Sequence, residues 1–294
     1  MSRRHSNRIE WGPGGGAERD AVLHVRVLGT GTPAVVLLHG LTASNRSWGA
    51  AFDPLADDRM VVAPDLLGFG ASPRESSGYG PDAHADAVAG CLDALGLRDP
   101  VIVVGHSLGA LIALHLATRH PKLVAAVVGI APPIYRNSTD ARRRIGSLGP
   151  FARVFALDTP WARRACVLMC RYRPAAARLA SWLRADLPVE LARASVQHSW
   201  ASYSQSLSEV ILAADAGADL ASCRAPVLIL AGDADKVIDL PLLAALAEEF
   251  SHVDLDCVHG AGHDLHLTHS TRCIGAIRAA IATAASPESS SPTG

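Results

Sequence analysis

The stretch VIVVGHSLGA at residues 101–110 decides the fold. Val101 to Val104 form an uninterrupted β-branched run, which suits a strand buried on both faces of a parallel sheet. Leu108, Leu111, Ile112 and Leu116 then recur at helical spacing. Ser107 therefore falls on a strand-to-helix turn. Gly105 and Gly109 remove side chains that would collide with the returning backbone, and leave a hydroxyl exposed beside a helix N-terminus. A nucleophile is presented in this way. A serine N-cap between turn glycines has the same local pattern, so the flanking chain must decide.

On either side, strand signals alternate with helix signals. Residues 22–28, 34–38, 60–63, 123–130, 225–231 and 252–258 read as strands. Helical periodicity covers about 46–56, 81–95, 240–250 and 267–284. This rhythm predicts an α/β fold, a doubly wound and mostly parallel sheet with helices on both faces. It breaks once. Residues 132–222 hold no buried strand, only Arg- and Ala-rich helical stretches containing Trp161, Trp182 and Trp200. The expected division is a core domain of 1–131 and 223–284 and an inserted helical cap of 132–222 over the carboxyl ends of the strands. The tail 285–294 and the GPGGG run at 12–16 read as flexible.

A serine hydroxyl needs an imidazole as base, oriented in turn by a carboxylate. The run AGDADKVID at 231–239 places Asp233 and Asp235 just past a strand, and VHGAGHDLHL at 258–267 places His263 on a Gly-rich loop. Serine, aspartate, histidine is the chain order expected when a G-x-S-x-G elbow belongs to a doubly wound hydrolase sheet.

With these residues, and with LLHGLTASNRSW (37–48), APDLLGFGAS (63–72), GHSLGA (105–110), AGDADKVI (231–238) and GAGHDLH (260–266), nearly the whole chain resembles the α/β-hydrolase fold. It is most similar to the esterase, lactonase and carbon–carbon hydrolase branch with a helical cap. The resemblance implies that the acid is Asp235, fourth in a G-x-x-D loop counted from Gly232; Asp233 is the alternative acid, and is otherwise expected to anchor that loop by bonding backbone amides. It implies that the histidine is His263, after Gly262. The oxyanion donors are expected to be the backbone N–H groups of Leu108, next after the nucleophile, and by resemblance Leu41. His39 supports that loop, and His106 packs or bonds locally.

The expected chemistry is acyl transfer on a carboxylic ester, thioester or lactone through an acyl-enzyme on Ser107. A serine at the elbow argues against the dehalogenase and epoxide-hydrolase members of the fold, which carry aspartate. Two alternatives stand beside it. One is hydrolysis of a carbon–carbon bond in a diketone-type substrate, disfavoured because Asp264 follows the histidine where that branch has tryptophan. The other is a non-catalytic small-ligand receptor on the same fold.

A formal net charge of −1 over 294 residues gives no global field toward nucleic acid or an anionic membrane. The charge is locally uneven: Pro132 to Trp200 carries 12 Arg and no Lys against four Asp plus Glu. Solvated helix faces are the favoured reading of those arginines, with recognition of an anionic substrate group as the alternative. No metal or cofactor is expected. His259, His263, His266 and His269 lack a completing acid or thiol at a familiar spacing, and GTGTP and GFGAS lack the residues of a phosphate loop. The N-terminal residues lack a signal-peptide core and no apolar stretch reaches spanning length, so a cytoplasmic protein acting on a small molecule is expected. The six cysteines read as reduced, buried structural thiols.

Overall fold

Within each strand the side chains alternate between two apolar layers, which accounts for the runs of Val, Leu and Ile. A computed structural model describes residues 9–11, 23–75, 77–149, 160–183, 187–213 and 215–285. The stretch 12–16 lies outside them, as does the expected tail apart from Ala285, the last helical residue. Among the described residues eight strands form one sheet: β1 (Ile9–Trp11), β2 (Val25–Leu28), β3 (Val35–Leu38), β4 (Val61–Pro64), β5 (Val101–His106), β6 (Val124–Ile130), β7 (Val227–Gly232) and β8 (Val253–Val258). Their order is β1-β2-β4-β3-β5-β6-β7-β8. The pairs β1–β2 and β2–β4 are antiparallel, and all others are parallel.

The two layers follow from the alternation. Val36, Leu38, Val101 and Val103 face α1 (Pro81–Ala94), α2 (Leu108–Arg119) and the helix Leu240–Glu249. Val35, Leu37, Ile102 and Val104 face Trp48, Phe52, Leu55 and the helix Ser270–Ala285. Helices thus cover both faces, as expected. Burial of a side chain such as Phe52 or Leu55 contributes about 1.5–3 kcal/mol, which fixes the 45–57 segment to the sheet.

Three expectations need correction. The segment expected as an α-helix over 46–56 is two 3₁₀ stretches, Asn45–Trp48 and Ala50–Asp57. Gly49, at φ 54°, breaks it, and Pro54 supplies no N–H for an α ladder. The last helix begins at Ser270, after a separate turn of helix at Leu265–Thr268. Cys257 is exposed, because it occupies an outward position of the edge strand β8; the other cysteines are buried or partly buried, and all six are free.

Between β6 and β7 the described residues form helices at Ser138–Ser147, Pro160–Arg171, Arg173–Leu183, Val189–Ala194, Trp200–Gln205 and Ala216–Ser222. A wider π turn lies at Ser206–Ile211. Among the described residues no helix is long and apolar enough to cross a membrane.

The strand order sets where a site can form. From β3 the chain moves to β4 on one side and then returns to β5 on the other. That reversal opens a crevice at the carboxyl ends of β3 and β5.

Candidate active site

Ser107 leaves β5 with φ 53° and ψ −117°, a conformation rare for a residue with a side chain. Its N–H donates to the Ile130 carbonyl at 2.9 Å. The flanking glycines are required by space. A Cβ on Gly105 would lie 2.1 Å from the Gly109 carbonyl oxygen, and one on Gly109 would lie 2.3 Å from that of Leu38. The turn can therefore close only with hydrogen at both positions, and closing it pushes the Ser107 side chain into the crevice.

The sheet brings two distant loops to that hydroxyl. Ser107 Oγ lies 3.0 Å from His263 Nε2, and His263 Nδ1 lies 2.8 Å from Asp235 Oδ2. The consistent protonation has Oγ–H donating to Nε2 and Nδ1–H donating to the carboxylate. The Asp235 side chain is fully buried, and its second oxygen accepts the Val237 N–H at 2.8 Å. Both carboxylate oxygens are thereby satisfied, as a buried charge requires. Asp233 is held elsewhere: it accepts from the Gly260 N–H at 2.7 Å and pairs with His259 Nδ1 at 2.6 Å. His259 chiefly, with the Gly260 amide, lowers the Asp233 pKa. The structure thus places Asp235, not Asp233, against His263.

On the β3 side, His39 is fully buried and bonded at both nitrogens. Nδ1–H donates to the Gly40 carbonyl at 2.8 Å, and Nε2 accepts the Leu66 N–H at 2.9 Å. Burial lowers its pKa, so the ring is a neutral strut between two loops. Gly40, Leu41 and Ser107 line one cavity of about 440 Å³. Leu108 is the first residue of α2, so its N–H belongs to the helix's unsatisfied first turn. Asp65 ties the next loop by accepting from the N–H groups of Asn45 at 2.7 Å and Ala71 at 2.8 Å.

The far wall of the cavity comes from the segment between β6 and β7, through Ile145, Leu148, Leu191, Tyr203, Leu207 and Ile211. No arginine lines it among the described residues. Arg144, central in the basic stretch, instead donates to the Ile238 carbonyl at 2.9 Å and pairs with Asp239 at 3.2 Å, tying the helix Ser138–Ser147 to the Asp235 loop. Of the three tryptophans in the inserted stretch, Trp161 and Trp182 are 72% and 76% exposed and neither lines the cavity. Trp200 packs on Tyr203.

Sequence reasoning missed His266. It lines the cavity, and neither ring nitrogen has a hydrogen-bond partner among the described residues. Burial, and secondarily His263, lowers its pKa to about 3. His106, 4.0 Å away between ring centroids, is held well below its ordinary value by burial and then by His266; its Nε2–H donates to the His263 carbonyl at 3.0 Å. Two neutral imidazoles therefore brace the loop that carries His263. The available signal was the three-residue spacing from His263 to His266, which places both near one short helical turn.

Known proteins match this architecture. Residues 35–276 match the model of the alpha/beta hydrolase family. The chain is 27% identical over 252 residues to a probable lysophospholipase, BODYGUARD 4, of Arabidopsis thaliana, covering 78% of this chain and 59% of that one. It is 39% identical over 127 residues to the lipase LipV of Mycobacterium tuberculosis, covering 43% and 48%. The chain spans about half the length of the curated relatives it matches. A thermophilic esterase from Thermogutta terrifontis superposes with a TM-score of 0.69 at 20% identity, over 92% of this chain and 100% of that one.

Proposed function

The chain belongs to the alpha/beta hydrolase family, and from that premise we propose that it cleaves a carboxylic ester, thioester or lactone through an acyl-enzyme on Ser107. The observation that carries this reading is the continuous relay from Ser107 Oγ through His263 to Asp235, at 3.0 and 2.8 Å. Ser107 Oγ attacks the carbonyl carbon while His263 Nε2 takes its proton. Asp235 holds the ring in the required tautomer and stabilises the imidazolium. The oxyanion is received by the N–H groups of Leu41 and Leu108, each donor worth about 3 kcal/mol in the transition state. Collapse expels the alcohol or thiol, protonated by His263, and a water deprotonated by the same imidazole releases the acid.

The aliphatic wall and the cavity volume of about 440 Å³ support an uncharged acyl group of modest size. The names of the two curated relatives, a lipase and a probable lysophospholipase, support an ester. In this reading residues 132–222 act as a cap shaping the pocket, and 1–131 with 223–284 act as the core that performs the chemistry. A cytoplasmic location belongs to the same reading, supported by six free thiols.

Intact-mass measurement after fluorophosphonate treatment tests it. Wild type should gain one adduct and Ser107→Ala none. An adduct that persists in the alanine variant would move the nucleophile elsewhere, and a folded wild type that takes no label and hydrolyses none of an ester, thioester, lactone and diketone panel would make the protein a receptor.

A further inference from the structure

Every large apolar side chain that is exposed among the described residues lies between Leu148 and Val189. On the helix Pro160–Arg171 the inward face is Ala162 and Cys166, which are buried. Trp161 and Leu168, seven apart, share the outward face, with Tyr172 in the turn just past the helix end, and all three are more than half exposed. The next helix, Arg173–Leu183, likewise turns Leu179 and Trp182 outward. Around these rings and branched chains stand Arg163, Arg164, Arg171 and Arg178, all exposed, with the Arg164 guanidinium 5.4 Å from the centre of the Trp161 ring. Residues 160–185 contain six Arg and no Asp or Glu.

We propose that this outer face docks on an anionic lipid bilayer surface. A contiguous exposed apolar patch signals a partner, and charge selects which one. Two copies of this chain meeting through the patch would oppose arginines with arginines and no acid to pair them. A bilayer bearing anionic headgroups supplies the missing negative charge, at about 1 kcal/mol per basic residue near the surface, and also an apolar layer for the side chains between them. Tryptophan and tyrosine suit this depth because each has an apolar body and a polar edge that stays at headgroup level. A net charge of −1 conceals this local field. The helices are too short to span, at 12 and 11 residues, so they lie along the surface.

The test uses the full chain carrying Ser107→Ala, so that hydrolysis plays no part. Flotation is measured with vesicles of phosphatidylcholine alone and of phosphatidylcholine mixed with phosphatidylglycerol. Binding is expected to the anionic vesicles only and should weaken as salt is raised. The joint change of Arg163, Arg164, Arg171 and Arg178 to Gln should weaken it about a hundredfold or more. Trp161→Ala with Trp182→Ala should weaken it at least about tenfold, with unchanged melting temperature, since both side chains face solvent. No flotation, equal flotation with both vesicles, or insensitivity to the tryptophan pair would overturn the proposal. So would a wild-type dimer in sedimentation that the same variants dissolve, which would assign the face to a second copy.

Discussion

The sheet around Ser107 and the helices from Pro160 to Leu183 place their apolar residues in opposite ways. In β5 every residue from Val101 to His106 is buried, and at its end Ser107, His263 and Asp235 are bonded at fixed geometry. In the helices from Pro160 to Leu183 the burial falls on small residues, Ala162 and Cys166, while Trp161, Leu168 and Trp182 face outward. The core therefore derives its precision from close packing, where displacement of one atom is felt. The rest of the inserted segment buries Leu207, Val210, Ile211, Leu212 and Leu220 in the main core, and the Arg144 bonds to Ile238 and Asp239 tie it further. On the proposed reading, the packed core carries the chemistry and these two helices carry the docking.

The largest effect that would break this contrast concerns the two aspartates of one loop. Asp235→Asn should lower the rate about 10⁴-fold with little loss of melting temperature, because the amide favours the wrong imidazole tautomer. Asp233→Asn, whose partners are His259 and Gly260, should leave the rate within about tenfold. Steady-state kinetics on both variants checks the assignment; the reverse order would dismiss it.

Next comes pH. Burial chiefly lowers the pKa of His84 and His266 to about 3 and that of His198 to about 4, and burial also lowers those of His39 and His106. Each is neutral when folded, whereas the unfolded chain takes up a proton near the ordinary value of 6.5. Below that pH the unfolded state binds more protons, so stability falls as pH drops from 6.5 toward 3 to 4. The limiting slope is about 1.4 kcal/mol per pH unit for each histidine. Melting temperature should fall steeply below pH 6, and His84→Gln should flatten that acid limb. The exposed arginines stay charged throughout and add nothing to it. A melting temperature unchanged between pH 7.5 and 5 would refute this account.

The smallest effects set one hydrogen against one large ring. Gly109→Ala places a methyl group against the Leu38 and His39 carbonyls, at 2.3 and 2.7 Å. It should cost about 1–3 kcal/mol and reduce activity, since α2 must retreat from β3. Trp182→Ala removes far more atoms from a site that is 76% exposed, and should change stability by no more than about 0.5 kcal/mol. Paired thermal melts decide the matter, and a larger loss at Trp182 would show that the segment is packed as the core is.

These differences also explain what could be read from sequence. Strands were legible because runs such as Val101–Val104 have no other stable use, and the order Ser107, Asp235, His263 was legible because each residue sits just past such a run. The 45–57 segment misled because its apolar spacing is helical, yet Pro54 and Gly49 withhold the backbone geometry. His266 was illegible because its role depends on packing against His106 and Trp48, which spacing does not report. Periodicity identified the inserted helices but could not say which way they face: Trp161 in a helix reads the same whether it packs or projects.

The placement of that insertion also bears on how the protein folds. β6 and β7 are adjacent in the sheet, pairing Ile130 with Leu230, yet about a hundred residues separate them in the chain. Closing so long a loop costs roughly 2 kcal/mol more entropy than closing one of ten residues, so this ladder should form after the local β5–α2–β6 unit. Asp235 and His263 lie beyond it. During folding, the Ser107 elbow should take shape first as an inert turn, and the docking of β7 and β8 should be the step that brings its hydroxyl within reach of a base.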